Sequence, residues 1–504
     1  MRPLPLILVF GFSALTAGCD AVAQIQNALS SPADLAVSAQ VATARVDLEQ
    51  GDGQMAALAI APAATPEVLA TLSGPKRHEV MQLDAFALSL SRHFAEATAA
   101  FQDLTTHPFA NADDRRGRLV NAAWSGDGAA ADAALQAVLA DGTPLGDVLS
   151  DAQLEDLDDT LGAAPDPRSA RWRLAEALEA QGWRAQDPFA DGQSIWLHYA
   201  LALVEKGNPL AATVARRIDN PDLLITMQAD RRFDTIIAAE PDRFDPLAAA
   251  RRRLDKAQAI AAAEPARLSA RMRLAQALIR LGQWKEADET VGVAGRDKPP
   301  PGFVDSPQYF IDARLLDGSI RSALGDPERE LVWLGQVDQR CGCLPNRTLR
   351  EAQLLLMLDR AGEAERTLLR LDAATLSMGQ RMFAAYIKVC AASRLGKPAE
   401  ASAERTFLRD HWRSSPEDAL TGEVCAGDPD QSAAVIIDAL RDPQRSEAAL
   451  TGVQSSLGYP VEMPQRRRLQ LKYAALVARP DVAAAIAAVG HLRRFPIQRM
   501  RYAS

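Results

Sequence analysis

The side chains able to do chemistry are few and widely spaced. His78-Glu79 opens a His-Glu-x-x-His spacing, which on a helix would bring two imidazoles to one metal ion. Position 82 is Gln82, so the second ligand is missing. The other histidines, His93, His107, His198, His411 and His491, stand singly and read as surface or helix-face residues. Gly396-Lys397 is followed by Pro398, and no glycine-rich run that could cradle a phosphate precedes it. Carboxylates are abundant, as solvated helix faces require, and no pair stands out. These residue types point away from an enzyme, and neither a metal nor a cofactor is expected.

The cysteines say more. The chain has five: Cys19, Cys341, Cys343, Cys390 and Cys425. Cys19 closes an N-terminal stretch of one positive charge, Arg2, and a short apolar run from Pro3 to Leu15. A membrane-spanning helix needs ~20 apolar residues. A shorter run with small residues at its end reads as a secretory signal. Export would leave four cysteines in an oxidising compartment, where an even number suggests disulfides. Four allow three complete pairings. A Cys341–Cys343 bridge would close a small strained ring, so each of those two is expected to pair elsewhere. Val424-Cys425-Ala426 echoes Val389-Cys390-Ala391. Neighbouring helix axes lie about 8–10 Å apart, whereas a disulfide needs Cα atoms within about 7 Å. Buried free thiols are the plain alternative.

The elements that would position these residues are helices. Nearly half the residues are apolar, only 5% are aromatic, and the net charge is −9. Strong helix formers dominate, β-branched alternation is scarce, and the acidic balance gives no reason to expect nucleic acid. A repeat runs through the pattern. Its clearest copy places Leu274, Ala275, Leu278, Gly282, Ala287, Val291, Ala294 and Pro299 at fixed offsets. Gly282 would end the first helix in a left-handed turn, and the small Ala275 and Ala287 would let two helices approach closely. Trp196, Tyr199, Ala200, Leu203, Gly207 and Ala212 repeat it. So do Ala85, Leu88, Phe94, Ala97, Phe101 and Leu104, with Arg92 in place of the turn glycine. Leu119, Ala122, Gly126, Ala131, Leu135 and Val138 follow one period on. Leu354, Leu355, Leu358 and Gly362, then Gly396, Ala401 and Leu408, mark two later copies.

This spacing resembles the tetratricopeptide repeat (TPR), a helix-turn-helix of 34 residues. The resemblance implies an all-α, TPR-like helix-turn-helix solenoid in which stacking makes the core continuous. It covers Leu83 to Leu408 with gaps, and Arg271 departs from the family's tryptophan position. Lys298-Pro299-Pro300-Pro301-Gly302 is the strongest breaker. The expected organisation is a signal over 1–18, a linker over 19–40, an N-terminal array over 41–300 and a degenerate C-terminal array over 301–504 ending in a basic stretch. In that stretch Arg466, Arg467, Arg468, Lys472, Arg479, Arg493, Arg494, Arg499 and Arg501 have only Asp481 as a nearby acid. It reads either as a solvated cap or as a positive surface for an anionic partner or lipid.

Leu15-Thr16-Ala17-Gly18-Cys19 resembles a bacterial lipobox, with Thr16 where that family prefers Leu, Val or Ile. The resemblance implies cleavage before Cys19 and lipidation of its thiol. Ala21-Val22-Ala23 is a competing site that would release a soluble periplasmic protein. The expectation is therefore a periplasm-facing scaffold, lipid-anchored to the inner or outer membrane of a bacterial envelope, binding proteins or peptides. By analogy with TPR proteins, Trp172, Glu176, Leu197, Leu201, Met272, Gln276 and Arg280 would face the binding groove. A regulatory subunit of an envelope enzyme, such as a peptidoglycan synthase, is the alternative.

Overall fold

Proline, aspartate, asparagine and serine set where the helices begin. A computed structural model describes residues 31–185, 192–292, 302–336, 344–373, 376–426 and 428–499. The signal with Cys19, the prolines at 299–301, and Cys341 and Cys343 lie outside these residues. Ser31, Asn111, Ser150 and Ser377 each close a reciprocal capping box with the residue three positions on. Proline occupies a first-turn position in helices such as Pro167–Ala180, Pro221–Ala229 and Pro429–Arg441, where its missing N–H costs nothing. The protein is all-α: among the described residues the only β pairings are two isolated bridges, Asp230 with Gly490 and Ser455 with Arg494.

The chain divides into two compact units, one ending at Gly192 and one beginning at Gln193. The first holds α1 (Pro32–Ala36), α2 (Ser38–Glu49), α3 (Gly53–Ile60), α4 (Pro66–Thr71), α5 (Gly74–Leu90), α6 (Phe94–Thr105), α7 (Ala112–Ser125), α8 (Gly128–Ala140), α9 (Leu145–Val148), α10 (Asp151–Leu161) and α11 (Pro167–Ala180). The second begins with α12 (Gln193–Glu205), α13 (Leu210–Ala215), α14 (Pro221–Ala229), α15 (Asp234–Ala239), α16 (Pro246–Ala263), α17 (Leu268–Arg280) and α18 (Trp284–Val291). It continues with α19 (Ser306–Ala323), α20 (Pro327–Gln336), α21 (Leu344–Met357), α22 (Ala361–Leu368), α23 (Met378–Arg394), α24 (Pro398–Asp410), α25 (Pro416–Ala426), α26 (Pro429–Arg441), α27 (Ser446–Gly452), α28 (Pro464–Val477) and α29 (Pro480–Val489).

Two expected boundaries move. Helix begins at Pro32, inside the span read as linker. The triple proline does not separate the units, because packing carries across it: α18 packs on α19, Val304 N–H donates to Ala266 O, and Leu268 N–H donates to Asp305 Oδ1 at 2.7 Å. Prolines stop a helix but do not stop its neighbours from packing.

One turn recurs. A helix ends, one residue takes a left-handed φ, and the next helix starts two residues later. Gly51, Arg92, Gly126, Gly282, Gly325, Asp359 and Gly396 occupy this position. In most copies the N–H after the left-handed residue donates back into the helix, as in His93 to Leu88 O and Gln283 to Leu278 O. That bond satisfies an orphan helix carbonyl. Arg92 (φ 67) and Asp359 (φ 67) do this without being glycine, at a cost of about 1–2 kcal/mol each. The copy read at Gly362 is thereby re-registered: Asp359 makes the turn and Gly362 lies inside α22.

Small residues set the spacing between helices. Ala275 and Ala287 have no exposed surface. A Cβ on Gly117 would strike the Phe101 ring, and one on Gly422 would strike Leu408. Side-chain bonds then tie each helix pair to the next at a separation near one repeat: Arg45–Glu79, Gln82–Asp114, Trp124–Asp156, Gln380–Asn346 and Arg394–Asp359.

Candidate functional site

The residues read from the TPR resemblance meet different fates. Trp172 is half-buried and donates from Nε1 to the exposed Glu176 at 3.2 Å, one turn along α11. Gln276 is half-buried. Leu197, Leu201, Met272 and Arg280 are buried. Met272 belongs to a core cluster with Leu278, Trp284 and Ile320, and Arg280 pairs with Asp222 at 2.7 Å. Of the seven, only Trp172, Glu176 and Gln276 keep a face that a partner could touch. The cause is tertiary: neighbouring helices bury Met272 in their shared cluster, and the Arg280 carbonyl is met from the C-terminal end of the chain.

The C-terminus reaches back to the early helices of this unit. α27 packs against α14, with Thr451 Oγ1 donating to Thr226 Oγ1 at 3.1 Å. Arg231 donates to the carbonyls of Ala487 and Ala488, the last turn of α29. His491 N–H donates to Ala229 O at 2.7 Å, and Gln498 N–H donates to Arg280 O at 2.7 Å. Phe495 and Ile497 fill an apolar cluster with Ile225 and Ala250. The helix array of this unit therefore closes, with its last segment seated on its first helices.

Between those pins runs a strap, residues 458–479, that crosses the ends of successive helix pairs in chain order. Just before it, Leu457 lies against Gly282 and its N–H donates to Ile497 O. The Tyr459 ring meets the Trp284 ring at 5.4 Å, with the Arg466 guanidinium 3.6 Å from the Tyr459 centroid. Val461 N–H donates to Ala323 O, at the end of α19. Arg468 forks onto Asp359 with two bonds of 2.7 Å, and Arg394 forks onto the same carboxylate at 2.8 and 2.9 Å. Lys472 Nζ donates to the carbonyls of Val424 and Cys425, at the C-terminal end of α25 where the helix dipole is negative. Arg479 bonds Asp430 and Asp481.

These contacts shift the titrations. The Arg468 hydrogen bonds, reinforced by Arg394, hold Asp359 at about 2 against the opposing effect of desolvation. Burial and the Arg394 charge push the Lys472 ammonium below its usual range. Part of the basic stretch is thus turned onto the chain itself, while Arg467, Arg493 and Arg494 are exposed and Arg501 lies outside the described residues. Arg499 likewise bonds Glu417 and Thr451 O. Distant acids and carbonyls take up the charges of Arg468, Lys472, Arg479 and Arg499, and no reading of the local run could have found them. The one hint in sequence was Asp359 itself, three residues before the glycine taken for the turn.

The cysteines resolve in part. Cys390 on α23 and Cys425 on α25 form a disulfide, 35 residues apart, with Cα atoms 5.0 Å from each other. Gly422 faces this contact, where an added Cβ would strike Leu408 and reach Val389. His78 is buried against a carboxylate: its Nε2 lies 2.8 Å from Asp114 Oδ2, while Gln82 Nε2 donates to Asp114 Oδ1 at 2.7 Å. The carboxylate that caps α7 takes both. No group of three or more potential metal ligands gathers among the described residues, and none of their helices is long and apolar enough to cross a membrane.

Compared with protein-family models and with curated proteins, the chain matches none. The functional reading therefore rests on its own residues.

Proposed function

We propose that this chain is a TPR-like scaffold of the bacterial cell envelope, lipid-anchored through Cys19, that binds proteins or peptides. The observation that carries the reading is the recurring turn: a left-handed residue between two helices, with side-chain bonds to the next pair about 34 residues away, as in Arg45–Glu79. Arrays of that period offer extended surfaces made of first helices, suited to polypeptide partners. The Cys390–Cys425 disulfide supports an oxidising compartment, because thiols stay reduced in most cytosols. Trp172, Glu176 and Gln276 are the groove candidates with surface to offer.

Cross-linking in intact cells, followed by affinity capture from solubilised membranes, tests the reading. Wild-type chain should be membrane-associated, carry lipid on Cys19 and capture envelope proteins. Cys19→Ala should move to the soluble fraction. Trp172→Ala with Glu176→Ala should reduce capture. A mature N-terminus at Gln24 would remove the anchor, and failure to cross-link any protein would remove the scaffold.

A further inference from the structure

Charges around the corner at Arg243-Phe244 do not balance. Seven acids lie between residues 219 and 245. Asp219 is taken by Arg253, Asp222 by Arg280, Asp230 by Arg232, Asp234 by His491 and Glu240 by Arg216. Asp245 accepts from the Leu247 and Ala248 N–H groups at the start of α16. Asp242 is exposed and takes no cation among the described residues. Against it stand three guanidiniums whose hydrogen bonds go to neutral oxygens. Arg243 donates to the Arg216 carbonyl, Arg252 to the Arg243 carbonyl at 3.3 Å, and Arg493 to Gln228 Oε1 at 3.0 Å. The Nε2 of the same Gln228 donates to the Phe244 carbonyl at 3.0 Å, so Arg493 is held beside the corner to which Arg252 is bonded. Burial and the nearby Arg252 charge push the Arg243 guanidinium below its usual range, against the pull of Asp219 and Glu240. Arg252 and Arg493 are exposed. A guanidinium carries five N–H donors, so one bond to a carbonyl fixes its place and leaves donors open to a carboxylate.

Beside these cations runs an unpaired backbone edge. Ser455 N–H donates to Arg493 O, and Phe495 N–H donates to Ser455 O. Those two bonds bracket Arg494, whose own N–H and C=O point the other way, as in any parallel pairing. The backbone groups of Leu492 and Arg494 take no hydrogen bond among the described residues, and both residues are exposed, Leu492 at 49%. A small anion would use the guanidiniums and leave this edge to water. An extended polypeptide that carries carboxylates uses both, because its main chain can pair along the edge.

We propose that Arg243, Arg252 and Arg493, with the open edge at Leu492 and Arg494, form a docking site for an extended acidic segment of a partner protein. This deepens the scaffold reading and rests on it, by giving a partner its charge and its conformation. A basic segment would set cations against three guanidiniums. A helical segment would leave the edge unpaired, because its own N–H and C=O groups are bonded internally.

The test uses the full chain with its disulfide intact and, as probe, a fluorescent octapeptide of alternating glutamate and threonine, which sets its carboxylates on one face of an extended chain. Wild type should bind the probe, and binding should weaken with added salt, which screens exposed charges. Arg252→Gln/Arg493→Gln should weaken binding about tenfold, through lost charge-assisted hydrogen bonds. Both arginines also bond within the chain, so the variant is checked for unchanged helicity by circular dichroism. Asp242→Asn is measured in parallel; it breaks no ion pair and should tighten binding roughly twofold by removing a repelling carboxylate. Hydrogen exchange over 491–495 should slow when the probe binds. Equal binding by the arginine variant overturns the proposal, as does an Asp242→Asn variant that binds no more tightly than wild type. A probe with glutamine at every glutamate that binds as well as the original overturns it too. Unchanged exchange over 491–495 in the bound state removes the extended segment and overturns the docking site. Phosphatidylglycerol vesicles or inorganic phosphate that bind through these arginines, with the probe inert, would assign the cluster to a headgroup or a free ion instead. None of these failures touches the cross-linking capture, which judges the scaffold reading separately.

Discussion

In the unit that ends at Gly192, side-chain bonds between helices reach about one repeat along the chain, as Arg45 does to Glu79 and Trp124 to Asp156. In the unit that begins at Gln193 the same short-range bonds exist, as Arg394 to Asp359, but a second set spans half the chain. Arg231 reaches the carbonyls of Ala487 and Ala488, and Gln228 reaches Arg493. The first unit also leaves apolar side chains exposed on its opening helices, among them Leu35, Val46, Met55 and Leu58. A stack that contacts only its nearest neighbours is stabilised by a sum of local terms. A stack whose end is seated on its beginning must also bring residues more than two hundred positions apart into contact, which costs loop-closure entropy and couples its ends. The two units therefore differ in how far along the chain their contacts reach.

The largest expected effect breaks a link found in the second unit. Removing the disulfide with Cys390→Ala/Cys425→Ala should lower that unit's stability by about 3–4 kcal/mol, the chain-entropy value for a loop of this length. Denaturant unfolding followed by hydrogen exchange should place the loss after residue 192. An equal loss in both units would mean that they do not unfold separately.

Closure itself is tested at Gly490, where a Cβ would strike the Ala229 carbonyl oxygen and Leu450. Gly490→Val should cost about 1–3 kcal/mol by overpacking. Exchange should quicken at two places far apart in sequence, 224–234 and 446–457. Acceleration confined to 485–495 would show that the ends are not coupled.

The two non-glycine turns sharpen the comparison, because one substitution should act with opposite signs. Arg92→Gly should stabilise the first unit by roughly 0.5–1 kcal/mol, relieving a left-handed arginine at some cost in unfolded-state entropy. Asp359→Gly relieves the same strain but discards the forks from Arg394 and Arg468, and should destabilise by about 1 kcal/mol. Melting both variants beside wild type checks the signs, and two gains of equal size would leave the Asp359 pairs without weight.

The smallest effect is acid-dependent. A carboxylate held at about 2 contributes stability that is fully present above its unfolded value of about 4. That contribution is lost as pH falls from about 4 to about 2. Exchange over 464–477 should quicken across this window in wild type, and Asp359→Asn should show no such step. A step retained in Asp359→Asn would assign it to another group.

The amino-acid sequence by itself determined that the chain is helical, where most helices start and where the pairs turn. Those properties are local: a capping serine, a proline in the first turn and a left-handed residue act within a few positions. Several turns were legible for the same reason, and the left-handed residue at Arg92 stands where the spacing placed a turn. The pairing of Cys390 with Cys425 was readable as one of several options, one repeat apart. Tertiary structure alone decided the closure. Leu197, Leu201 and Met272 looked like groove residues because their helical positions matched, and they are buried because burial depends on what packs over a helix. Arg468, Arg479 and Arg499 looked like parts of a surface run because acids that pair with them lie elsewhere in the chain: Asp359, Asp430 and Glu417. Charge pairing acts through space over a few ångströms, and a linear reading carries no distance between residues 100 positions apart.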